Sequence, residues 1–313
     1  MKKLFLRLLL FLPTALLGYM LLLWLFGDLG WVRSANTTMG HSGHLCSRIK
    51  DIPNYHDVDI LFLGSSHSYR TFDTRTYQAA GYTCFNLGSS NQTPVQTLVL
   101  LQTYLDSIRP RHIVFEVHPD IMNNDGVESA VDILAHTPLN PHITRMAWRM
   151  GNMKVVNTWL YALYNQKICN RLSSFVEDSI IKDAAYVPGG YVEINSRHFE
   201  IKRYPRKKLT IRANQLEALK QCIAMFKERN IPYLLVEVQD AEQLRKTFLN
   251  HEWFERQMQA LGPYRYKILP MTDTIHFANS NHLYKPGIVM FNNDLIQDLD
   301  HYFPKESVPK NNN

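Results

Sequence analysis

Cysteine is scarce in this chain, and none of it forms a motif. Cys46, Cys84, Cys169 and Cys222 are spread over 313 residues with no CxxC spacing. Neither a thioredoxin-like dithiol nor a cysteine-ligated zinc site is supported. Cys84 sits in an apolar stretch and reads as a small buried residue. The GxSxG turn of the α/β-hydrolases is also missing. So is any nucleic-acid-binding motif, and a formal charge of +6 is too mild to call for such a partner. His41 and His44, in 40-GHSGH-44, have no third ligand at a convincing spacing and read as a solvated loop. No metal or organic cofactor is expected.

What is present begins at the N-terminus. Lys2, Lys3 and Arg7 precede an uncharged apolar run from Leu8 to Phe26. A run of about 20 such residues crosses a bilayer as a helix, and Pro13 is tolerated there. No small-x-small cleavage site follows, so residues 1–27 are expected to be an uncleaved signal-anchor with a cytoplasmic tip. The positive flank stays inside and the remainder is exported. No second run of this kind occurs, which predicts a single-pass protein. Export permits disulfides, but their pairing is not legible. Residues 28–57 are polar and read as a linker or entry segment, and 304–313 as a disordered tail.

At 45% hydrophobic and 20% charged residues, the rest has ordinary globular composition. From residue 58 strands and helices alternate. Strands are expected at 58–63, 83–87, 112–117, 232–238 and 266–269. Helices are expected at 73–80, from 93 to Pro110, at 212–229, at 241–261 and towards 303. This rhythm predicts an α/β fold, a doubly wound parallel sheet between two helical layers, over 58–303. Residues 118–210 break it and read as an insertion or cap. Within them 202-KRYPRKK-208 carries five positive charges, read as a solvated face or a patch for anionic lipid or glycan.

Ligands in such sheets bind beyond the carboxyl ends of the strands. Three strand ends are polar there: 64-GSSH-67, 88-GSSNQT-93 and 118-HPD-120. A fourth polar element is 273-DTIHFANSNHL-283. A serine nucleophile needs a base within reach and donors for the developing oxyanion. These blocks, in this order, resemble the SGNH (GDSL-type) hydrolases, and most closely their membrane-anchored cell-envelope members with Gly-Ser-Ser in place of Gly-Asp-Ser. The resemblance covers residues 58–117 and 231–301 and implies a flavodoxin-like sheet.

It implies Ser66 as nucleophile, His282 as base and Asn279 where the family has its acid. The oxyanion hole falls to Ser66, Asn91 and Gly88. His67, Arg70, His118, Asp120 and Asp273 stay open as substrate contacts or alternative acids. The implied activity is ester hydrolysis or O-acyl (acetyl) transfer on an envelope glycan or lipid. The implied partners are an acylated polysaccharide or lipid, the membrane through the N-terminal helix, and envelope-biosynthesis proteins. With Asn279 at the acid position, a non-catalytic glycan-binding or scaffolding member is the alternative.

Overall fold

The strands of the central sheet are short and almost wholly apolar, as strands buried on both faces must be. A computed structural model describes residues 2–29, 39–41 and 43–303. The expected tail at 304–313 lies outside the described residues, as do 30–38 and 42 of the expected linker.

In chain order come α1 (Lys2–Asp28), α2 (Leu45–Asp51), β1 (Ile60–Leu63), α3 (Ser66–Thr71), α4 (Thr74–Ala79), β2 (Cys84–Asn86), α5 (Pro94–Ile108) and β3 (His112–Glu116). The insertion then supplies α6 (Pro119–Met122), α7 (Val127–His136), α8 (Pro141–Arg149), α9 (Met153–Leu163) and α10 (Arg171–Ser174). It closes with β4 (Ile180–Ile181), β5 (Ala184–Val187) and β6 (Tyr191–Ile194), a small antiparallel sheet. The remainder is α11 (Ala213–Glu228), β7 (Tyr233–Glu237), α12 (Glu242–Arg245), α13 (His251–Gln259), β8 (Tyr264–Tyr266), α14 (Asp273–His276) and α15 (Lys285–Tyr302).

The central sheet has the order β2-β1-β3-β7-β8, and every neighbouring pair is parallel. This is the flavodoxin-like doubly wound order, whose crevice opens between β1 and β3. Alternation along β1 sorts its side chains between the two faces. Ile60 and Phe62 pack with Val114, Leu234, Phe291 and Leu295, beneath α15. Leu61 and Leu63 pack with Val99, Leu105, Leu219 and Phe226, beneath α5 and α11. Both faces are therefore covered.

α1 is long and apolar enough to cross a membrane, with a mean hydropathy of 2.2. A leader sequence meets the same test.

Four expectations need correction. The described part of 28–57 is no linker: Leu45, Cys46, Ile49 and Ile52 are buried. Nor is 40–44 a free loop. His44 is buried, and its Nε2 lies 3.1 Å from the Ala184 carbonyl. Buried Arg48 donates to the carbonyls of Gly190 and Gly43. Apart from Gly43, the partners of these polar residues lie in the insertion. The helix expected over 241–261 is broken in two. Asn250 donates to the Leu209 carbonyl and accepts the Leu209 N–H, while Thr247 and Leu249 pair with the Lys207 backbone. The chain returning from the insertion thus takes backbone groups that a continuous helix would use. The last strand lies slightly earlier than expected, at 264–266.

Candidate active site

β1 ends at Leu63 and the chain turns through Gly64, at φ 132°. A Cβ there would lie 2.5 Å from Glu116 Oε2, so only glycine fits. Ser65 then caps α3, its Oγ accepting the His67 N–H at 3.2 Å. Ser65 also donates its N–H and Oγ–H to Glu116 Oε2, at 2.7 and 2.8 Å. The carboxylate at this turn therefore comes from β3. Burial pushes the Glu116 pKa upward. Ser66 opens α3 with its backbone N–H in the unpaired first turn and without a partner among the described residues.

Ser66 Oγ lies 2.8 Å from His282 Nε2, across 216 positions of sequence. The His282 loop is held from both sides. Phe277 bridges to Leu283, and the Ala278 N–H donates to the His282 carbonyl at 2.8 Å. Gly287 lets α15 approach closely, since a Cβ there would lie 2.3 Å from the His276 carbonyl oxygen.

Asn279 decides how the His282 ring is used. Its Oδ1 accepts the backbone N–H groups of Asn281 and His282, at 3.1 and 2.9 Å. An amide so held presents its oxygen, not its NH2, to the ring nitrogen Nδ1 at 3.1 Å. The ring must then carry its proton on Nδ1, which leaves the Nε2 lone pair facing Ser66. An asparagine that turned its NH2 inward would impose the opposite tautomer. Burial holds the His282 pKa well below its ordinary 6.5, with Arg70 and His118 adding repulsion.

His67 lies behind this pair. Its ring stacks on His282 at 4.9 Å and on His118 at 4.2 Å. Its pKa is also driven well down, first by burial and then by these two histidines. His118 ends the stack, 3.1 Å from Asp240 Oδ2. Burial opposes its charge, but Asp240 outweighs that and pushes its pKa up to about 9. The Asp120 N–H donates to His118 Nδ1 at 3.2 Å, a contact given up when the ring charges.

Two clusters bring together residue types that hold metals. Potential ligand atoms of His67, His118 and Asp240 lie within 4.8 Å of one another. The His67 and His118 rings are only 7° from parallel, so their lone pairs run side by side and do not converge on an ion. In the other cluster, Asp132 Oδ1 takes His41 Nε2 at 2.6 Å and His136 Nδ1 at 2.8 Å. The outer nitrogens accept the N–H groups of Gly43 and Gly40. Every nitrogen is engaged, and two of these contacts fasten Gly40 and His41 to α7.

Other expected site residues are engaged elsewhere. The Gly88 N–H donates to Asn86 Oδ1 at 3.0 Å, so it is not free for an oxyanion. The Asn91 side chain donates to Glu128 at 2.6 Å. Asp120 is an exposed partner of Lys207 at 2.5 Å, and Asp273 accepts the N–H groups of Glu242 and Gln243 to cap α12. Neither is an alternative acid, and His118 faces Asp240. Arg70 does not pair with Glu116. Its buried Nε has no partner among the described residues. Within the basic stretch, Lys202 and Lys207 are paired with Glu200 and Asp120. Sequence reading weighed Glu116 only as a partner for Arg70, missing its contact with Ser65, and passed over Asp240. Asp240 follows β7 and belongs to the same class of polar strand ends that pointed to the other three.

No protein-family model matches the chain, and no curated protein matches it in sequence. Among solved structures, one from Bacteroides fragilis NCTC 9343, provisionally described as an acylhydrolase, is similar at 11% identity and a TM-score of 0.39. The match covers 84% of this chain and 99% of that one.

Proposed function

We propose that this protein is a membrane-anchored, SGNH-type serine esterase or O-acyltransferase acting on an acylated glycan or lipid of the cell envelope. The observation that carries the reading is the Ser66–His282–Asn279 array, with 2.8 Å between nucleophile and base. Ser66 Oγ attacks the ester carbonyl while His282 Nε2 takes its proton. The Ser66 N–H, without a partner among the described residues, is the donor assigned to the developing oxyanion, with the Asn91 main-chain N–H as its proposed companion. Collapse breaks the ester C–O bond, and His282 returns the proton to the leaving alcohol. The acyl-serine is then cleaved by water, or by a sugar hydroxyl in transfer. Arg70 is the cation available to an anionic group on the substrate. A scaffold without chemistry is disfavoured because Ser66 and His282 are in contact rather than splayed.

The test compares the full-length chain in detergent with Ser66→Ala. Wild type should release p-nitrophenol from p-nitrophenyl acetate and be labelled by a fluorophosphonate, and the variant should do neither. Equal, negligible reaction in both would overturn the reading.

A further inference from the structure

We propose that the corner between α8 and α9 sits in the headgroup layer of an anionic membrane, beside the point where α1 leaves it. The inference rests on reading α1 as a membrane span.

α1 is fastened to the domain along one stripe. Met20, Leu23, Trp24 and Gly27 are half-buried on it while their neighbours are exposed, a spacing that marks one helical face. Trp24 stacks on Tyr164 at 4.9 Å, and Tyr19 Oη donates to Asn157 Oδ1 at 2.6 Å. Below them Asp28 accepts from Tyr161, Tyr164 and Arg171, at 2.9, 2.6 and 2.5 Å. Contacts thus advance together, from Tyr19 with Asn157 to Asp28 with Tyr164. The two helices run in the same direction.

That direction fixes what lies towards the membrane. Met153 precedes Tyr161 by about 12 Å of helix and Asn157, the partner of Tyr19, by about 6 Å, which brings it to the depth of Tyr19 or one turn further, in the outer part of the span. Tyrosine is enriched at that depth, where its ring is apolar and its hydroxyl needs a partner. The corner's composition suits the same layer. Met153 and Trp148 are 68% and 56% exposed, although they are large and apolar. Arg145, Arg149 and Lys154 are exposed around them. Apolar side chains ringed by long cations that reach outward describe a surface made for lipid headgroups and the first carbons of their chains. The cations select an anionic surface.

The test uses the full-length chain in lipid nanodiscs, with Cys169→Ser to remove the one native cysteine that is not buried. Nitroxide labels are placed singly by Met153→Cys, by Leu17→Cys in α1, and by Val176→Cys on an exposed loop. Collision with oxygen reports lipid, and collision with a water-soluble nickel chelate reports solvent. In discs containing phosphatidylglycerol, the label at 153 should favour oxygen, as at 17, while that at 176 favours nickel. Reversing the charges with Arg145→Glu, Arg149→Glu and Lys154→Glu together should move the 153 label towards nickel and leave the 17 label unchanged. A 153 label that behaves like 176 while 17 reports lipid would overturn the docking and leave the anchor standing. A 17 label in solvent would overturn both. A 153 label indifferent to the charge reversal would overturn the preference for anionic lipid.

Discussion

Two histidines of one stack are treated in opposite ways. His282 touches Ser66 and is oriented by an uncharged amide, and its pKa is driven down. His118, at the far end of the stack beyond His67, faces the Asp240 carboxylate, and its pKa is driven up. A carboxylate does two things for a histidine: it selects the tautomer and it stabilises the charged ring. Asn279 supplies the first without the second. The comparison separates orientation from charge within a single site.

The largest expected effect removes the proposed base itself. His282→Ala should lower the rate of acylation by about four orders of magnitude or more, as loss of a triad member does. Fluorophosphonate labelling kinetics measure it. Next, Asn279→Asp gives His282 the carboxylate that His118 has. Its rate should rise by about tenfold to a hundredfold, and the acid limb of the pH–rate profile should move to higher pH. No gain would mean that charge at this position is not limiting.

The wild-type profile is a third check. On the proposed mechanism His282 must be unprotonated to act, and its pKa lies well below 6.5. Activity should therefore persist below pH 6.5 and fall only further into the acid range, and a limb at or above that value would contradict the burial argument. Asp240→Asn tests the other end of the stack by stability. His118 has a folded pKa of about 9 against an ordinary 6.5, so its contribution is full below 6.5 and lost as pH rises through about 9. The variant should be less stable than wild type by at most about 3 kcal/mol at low pH, with the gap closing in the alkaline range. Denaturant titrations at several pH values measure this. The smallest effect belongs to Asp120→Asn, which breaks only an exposed pair with Lys207. It should change stability by less than about 1 kcal/mol and leave acylation intact.

Much of this was legible in the chain. Ser66 and His282 stand at the ends of apolar runs, in an order and context that a single resemblance could join. The sheet followed from alternating periods. What escaped depended on distant partners. Polar residues around 40–50 have the composition of a linker, yet His41 is held by Asp132 and Arg48 by Gly190, and composition does not reveal such pairings. The break in the helix after Arg245 is imposed by Lys207 and Leu209, at the end of the insertion. Gly88 reads as an oxyanion donor until Asn86 is seen to take its N–H.

The neutrality of Asn279 also bears on time. On the proposed mechanism, His282 must become an imidazolium twice, once as the acyl group arrives and once as it leaves. With an amide in place of a carboxylate on Nδ1 to share that charge, the second passage is slowed along with the first. The acyl group should therefore dwell on Ser66, and a long dwell lets a slowly arriving sugar hydroxyl compete with water for it. With an activated ester such as p-nitrophenyl acetate, whose leaving group needs no proton from His282, a burst of product followed by sluggish turnover would be its kinetic trace.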